Sequence, residues 1–113
     1  MTKIKFFKKD DIFTGFEISG HSGYAEEGKD IVCASISSIS QSCALGLKEV
    51  LGIDVSMKLN ETRGYLKIEL PNNIHKDLLE KSQVLLKTMY LSIKDLLSGY
   101  SKYISMEVIE NVY

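Results

Sequence analysis

A thiol attacks a carbonyl as its thiolate, and an imidazole within reach can generate that thiolate. Twelve positions separate His21 from Cys33, in a chain that holds only two histidines and two cysteines. The stretch reads Gly20-His21-Ser22-Gly23-Tyr24-Ala25-Glu26-Glu27-Gly28-Lys29-Asp30-Ile31-Val32-Cys33. Asp30 suits a helix N-cap. Cys33 then falls in the first helical turn, where unpaired N–H groups favour an anion. His21 stands across a glycine-bearing loop from it, at the end of a strand. This constellation predicts Cys33 as nucleophile and His21 as general base, then as acid for the leaving amine. The first-turn N–H groups of Cys33 and Ala34 are the natural oxyanion donors.

Each of these residues also has a plainer reading. A free cysteine in a helix is usually a small buried hydrophobe. Cys43, mid-helix on an apolar face, fits that description. Asp30 either caps the helix or orients His21 as the third member of a triad. Its carboxylate also opposes thiolate formation by like-charge repulsion, so His21 and the helix end must supply the stabilisation together. Ser37, one turn beyond Cys33, either bonds near the sulfur or satisfies the backbone carbonyl of residue 33. Gly20, Gly23 and Gly28 serve turns, or let the loop of Ser22, Gly23, Tyr24 and Gly28 fold over an extended peptide. His75 belongs on the surface. The glycines lack the lysine-serine pair of a phosphate loop, and the histidines and cysteines are too scattered to argue for zinc. No cofactor is expected.

Alternation and helical periodicity give the elements that must position the pair. Ile4 and Phe6 mark a first strand. Ile12, Thr14, Phe16 and Ile18, alternating with Phe13, Gly15, Glu17 and Ser19, mark a second that stops at Gly20. Val32, Ile36, Ile39, Cys43, Leu47 and Val50 form the buried face of a helix ending at Gly52. Ser35, Ser38, Ser42 and Gly46 add a stripe of small residues, suited to a close helix contact or a subunit interface. Val55, Met57 and Leu59, a turn at Glu61-Thr62-Arg63-Gly64, and Leu66, Ile68 and Leu70 form a hairpin. Asn73 can cap a second helix, with Leu78, Ser82, Leu85, Met89, Ile93 and Leu96 along one face and its end at Gly99, and Ile104, Met106 and Val108 form a last strand. The order β-β-α-β-β-α-β predicts an α+β two-layer sandwich, with two helices on one face of a sheet.

The 113 residues fit a single domain, 1–113, with 44% apolar and 26% charged residues, ordinary values for a soluble chain. A net charge of −1 argues against nucleic acid as the direct partner. No apolar run reaches the roughly 20 residues of a membrane span. The N-terminus alternates, with no signal-peptide block, so a cytoplasmic protein is expected. Ten helical residues hold Cys33 and Cys43 about 15 Å apart, too far for a disulfide.

Gly20-His21-Ser22, followed by Gly28-Lys29-Asp30-Ile31-Val32-Cys33-Ala34, resembles the signature of the ribosomal-processing cysteine protease Prp family, also called YsxB. That pattern is glycine-histidine, a short loop, then glycine, any residue, aspartate, an aliphatic pair, cysteine and alanine. Ser22 and Ser35 stand where the family often has alanine. The resemblance implies a cytoplasmic, homodimeric endopeptidase. Its substrate would be the short N-terminal extension of large-subunit ribosomal protein number twenty-seven, cut after an aromatic pair. Cys33 matches the family nucleophile and His21 the base. Asp30 matches a motif position, and residues 22–29 match a loop that reorders on substrate. Two other classes use the same residues: a non-catalytic ribosome-associated peptide-binding module, and a thiol redox sensor. His21 at the loop start favours hydrolysis over both.

Overall fold

The computed structural model describes residues 1–26 and 29–110. Eight-residue strands β1 (Thr2–Lys9) and β2 (Ile12–Ser19) lead to helix α1 (Ile31–Leu45) and a π-helical turn (Gly46–Val50). Strands β3 (Ser56–Asn60) and β4 (Tyr65–Glu69), helix α2 (Lys76–Gly99) and strand β5 (Ile104–Glu110) follow. The expected order and the α+β class are both present. The five strands run β3-β4-β2-β1-β5, with β5 parallel to β1 and the other pairs antiparallel. Ile4, Phe6, Phe16, Ile18, Leu66 and Ile68 alternate inward and share one core with Val32, Ile36, Leu86 and Ile93 of the helices. Edge strand β3 is exposed along its whole length, leaving Met57 43% and Leu59 51% exposed.

Strand β2 departs from simple alternation. Phe7 pairs with Gly15 but Lys8 pairs with Phe13, so Thr14 is an extra residue. Such a bulge flips the strand's phase. Phe13, expected opposite Phe16, therefore turns into the core at 3% exposure. Its ring packs edge-on against Phe6 at 5.6 Å and beside Tyr90 of α2 at 5.5 Å. The Gln83 amide on α2 completes the arrangement. It accepts from Phe13 N–H and donates to Phe13 C=O, each at 2.8 Å.

Helix α1 buries Val32, Ile36 and Cys43 as its periodicity predicts, but Val50 is 81% exposed. The wider π-helical turn shifts the phase after Leu45 and swings Val50 outward. Of the small-residue stripe, Ser38 and Ser42 face solvent. Gly46 alone makes the close helix contact, since a Cβ there would lie 2.8 Å from Leu85 Cδ1 of α2. Residues Ile31–Val50 are long and apolar enough to cross a bilayer by length and composition, contrary to the sequence reading. In the fold they form a core helix, with Val32, Ile36, Cys43 and Leu47 inward. Helix α2 is capped by His75, whose Nδ1 accepts from Asp77 N–H at 3.3 Å, and not by Asn73.

Candidate active site

Asp30 joins helix α1 to the preceding loop. Its Oδ1 accepts from Val32 and Cys33 N–H, both at 3.0 Å, capping the helix. Its Oδ2 accepts from the Ser22 hydroxyl, and from Tyr24 N–H at 3.1 Å and Ala25 N–H at 3.4 Å. Burial by itself raises this carboxyl's pKa. The bonds from the Ser22 hydroxyl and from Cys33 and Ala25 N–H outweigh it and hold the group at about 2. The loop is tied down a second time by Tyr24. Its ring meets Tyr103 at 5.2 Å and Tyr100 at 5.6 Å, both edge-on.

This anchoring aims a main-chain donor at the thiol. Ser22 N–H points to Cys33 Sγ at 3.1 Å. Cys33 is half-buried, whereas Cys43 is buried and its thiol is pushed up to about 12 by desolvation. Two cysteines of one helix thus occupy opposite chemical environments.

His21 is exposed, and its Nε2 lies 3.2 Å from the Thr62 carbonyl oxygen on the β3–β4 turn. Gly20, at φ +87°, ends strand β2, and Gly64, at φ +61°, brings that turn against it. A Cβ on Gly64 would lie 2.7 Å from Gly20 O and 3.2 Å from His21 Cε1. His21 and Cys33 line one open cavity of about 470 Å³, within the size range of ligand pockets. Ile18, Ile36, Leu59 and Leu66 supply apolar lining to it. A thiol, an imidazole and an aimed N–H around an apolar cleft are the parts that acyl transfer requires.

The model of the cysteine protease Prp family matches residues 1–105. The chain belongs to the cysteine protease Prp family. It is 27% identical over 85 residues to the ribosomal processing cysteine protease Prp of Bacillus subtilis (strain 168), covering 75% of this chain and 76% of that one. Among solved structures, SMU.848 from Streptococcus mutans is similar with a TM-score of 0.84 and 29% identity, over 98% of this chain and 96% of that one. The ribosomal processing protease Prp from S. aureus, in complex with a covalently linked product peptide, shares the fold at a TM-score of 0.85 and 20% identity. That match covers 96% of this chain and 100% of that one.

The structure decides between the expected roles, keeping the Asp30 cap and overturning others. Asp30 spends its carboxylate on the helix and the loop, not on His21, so it is a cap and loop anchor. Cys33 N–H is taken by Asp30 Oδ1, and Ala34 N–H by Asp30 C=O at 3.0 Å, so neither of these expected oxyanion donors is free. Ser37 Oγ accepts from the Gln41 amide at 2.8 Å and bonds neither the sulfur nor residue 33. Ser22, Gly23 and Tyr24 lie in the loop where expected; Gly28 lies outside the described residues. Sequence reading missed the Ser22 N–H, the Thr62 carbonyl and Leu59. The first two are main-chain groups that every residue carries, so no residue type signals them. Alternation marks Leu59 only as a strand residue.

Proposed function

We propose that this chain is a cysteine endopeptidase in which Cys33 is the nucleophile and His21 the general base and acid. The observation that carries this reading is the cavity lined by both Cys33 and His21, with the sulfur facing the Ser22 N–H. In this mechanism His21 takes the thiol proton as sulfur attacks the scissile carbonyl, giving a tetrahedral oxyanion. Ser22 N–H faces the attacking sulfur, and once that sulfur is bonded to carbon the N–H is released to donate to the neighbouring oxyanion. His21 then protonates the leaving amine, and the C–N bond breaks. Water, activated by His21, releases the new carboxylate and restores the thiol.

The substrate we propose is the N-terminal extension of large-subunit ribosomal protein number twenty-seven, cut after an aromatic pair. The apolar cleft suits large flat side chains, and the likeness to ribosomal processing proteases supports a ribosomal-protein peptide. The enzyme would act as a cytoplasmic homodimer. Val84 and Leu91, 67% and 61% exposed on the outer side of α2, offer an apolar face of the kind an interface uses. Incubation with a peptide spanning the extension junction tests the reading. Cleavage by the wild type and none by Cys33→Ala supports it. Tight binding without cleavage by the wild type would instead identify a peptide-binding module.

A further inference from the structure

We infer that the main-chain carbonyl of Thr62 is the orienting group of His21, so that Nδ1 is the nitrogen that exchanges protons with the substrate and the thiol. The inference rests on the Cys33/His21 reading above and assigns the part that reading leaves open. A third group that fixes the imidazole's tautomer and direction is the usual complement of a nucleophile–histidine pair. Asp30 was the sequence candidate for that part. Both its oxygens are committed to the loop and the helix.

Thr62 C=O fills the place. A carbonyl oxygen has lone pairs and no proton. The 3.2 Å contact with His21 Nε2 is therefore a hydrogen bond only when Nε2 carries the hydrogen. The bond made by one ring nitrogen sets the state of the other, so Nδ1 holds the lone pair of the neutral ring. The turn is built for this contact. Ile18 pairs with Leu66 across β2 and β4, and continuing that register places Gly64 beside Gly20 and the Thr62–Arg63 peptide beside His21. Gly64, which lacks a Cβ, permits the approach. Asn60 Oδ1 accepts from Arg63 N–H at 3.2 Å, and Gly64 N–H donates to Glu61 C=O at 3.1 Å, holding the turn's shape. Thr62 is thus a positioning residue acting through its backbone, and its side chain plays no part.

Replacing the Thr62–Arg63 amide with an ester, by semisynthesis, tests this directly. The ester carbonyl is a weaker acceptor, and it also loses the Arg63 N–H bond to Asn60. Asn60→Ala removes that second bond alone and is the control. Two readouts are taken: the nitrogen-resolved NMR signal of the His21 ring proton, assigned with His75→Gln, and the pH profile of junction-peptide cleavage. The unmodified protein should show a protected Nε2–H. The ester should expose that proton to solvent exchange and lower kcat roughly tenfold, a part of the 10²–10⁴ that a positioned base supplies. Asn60→Ala, which loses only the turn bond, should fall well short of the ester in both. An Nδ1–H tautomer in the unmodified protein overturns the inference. So does an ester protein that matches Asn60→Ala in signal and rate while His21→Ala is inactive. Full cleavage by His21→Ala has a different meaning, because it removes the dyad reading itself.

Discussion

Ser22 and Cys33 meet through a main-chain N–H and a sulfur 3.1 Å apart, and the same Ser22 donates its hydroxyl to Asp30, three residues before the cysteine. Loop, cap and thiol are therefore one mechanical unit. The carboxylate that starts helix α1 also fixes the loop that addresses the sulfur. This accounts for an aspartate so close to the Cys33 sulfur. Its charge is absorbed by five hydrogen bonds.

The two thiols should separate cleanly by reactivity. Iodoacetamide added to the native protein near neutral pH is expected to give one adduct, at Cys33. Cys43 is buried, and its thiol at about 12 carries almost no thiolate. Peptide mapping by mass spectrometry reads the sites, and Cys43 should react only after denaturation. Comparable labelling of both in the native state would contradict the assignment. Cys43→Ala should accordingly keep most of the cleavage activity.

Asp30 makes stability depend on acid. Its carboxyl is held at about 2, below the ordinary 3.8, so the folded state prefers the charged form. The sign follows from linkage: the contribution is complete above about pH 4 and is lost as pH falls toward about 2. Urea unfolding of the wild type and Asp30→Asn should differ most near pH 5 and converge at the acid end. Loss of the cap in Asp30→Ala should cost about 2 kcal/mol, the upper range for an N-cap. A gap between wild type and Asp30→Asn that stays constant across this range would refute the assigned role.

The loop is expected to be gated by its anchors. Tyr24 and Ala25 N–H both donate to Asp30, and the Tyr24 ring rests on Tyr100 and Tyr103. Tyr24→Ala removes two edge-on aromatic contacts, each worth about 1 kcal/mol. Hydrogen exchange at residues 24 and 25 should accelerate in Tyr24→Ala, and more so in Asp30→Ala. Binding of the junction peptide to Cys33→Ala should change protection across the same residues. Exchange unaffected by either substitution or by peptide would remove the gating idea.

The Gln83 side chain links helix α2 to the sheet at strand β2. Two of its bonds go to the backbone of Phe13, beside the β2 bulge, and a third to the Ser82 hydroxyl. Gln83→Leu should destabilise the fold by about 2 kcal/mol, because it leaves two partly buried main-chain groups unpaired. Chemical denaturation measures this. A change within about 0.5 kcal/mol, the range of ordinary surface substitutions, would show that water serves equally well there.

Helix and strand order were legible in the sequence because periodicity and turn residues report them directly. The phase of β2 was not. Thr14 bulges, and the only clue was the odd spacing of Phe13 and Phe16 around Gly15. Val50 was misplaced because a π-helical turn carries no distinct residue pattern. At the site, His21, Cys33 and the Asp30 cap were legible because side-chain chemistry identifies them. Donors and acceptors of the main chain were not. Which N–H faces Cys33, and which carbonyl holds His21, depends on where β4 lies beside β2, a long-range pairing that no local window contains. The Asp30 triad role failed for the same reason. Its partners are set by the loop's path, which alignment of residue types does not give.

Substrate choice should be readable at Leu59. This side chain lies on exposed edge strand β3, paired with Leu66, and both line the cavity shared by Cys33 and His21. The helices do not cover β3, so Leu59 stays available to a peptide side chain. Apolar contacts of this size discriminate by about 1–3 kcal/mol. Leu59→Ala should therefore lower kcat/KM for a junction peptide carrying the aromatic pair by about tenfold, while the rate for a peptide with alanines in those positions changes little. The ratio of the two kcat/KM values is the measurement, because it cancels any general loss of active enzyme. An equal fall for both peptides would move the aromatic subsite away from β3, and an unchanged ratio in Met57→Ala would confine it to the Leu59 end of the strand.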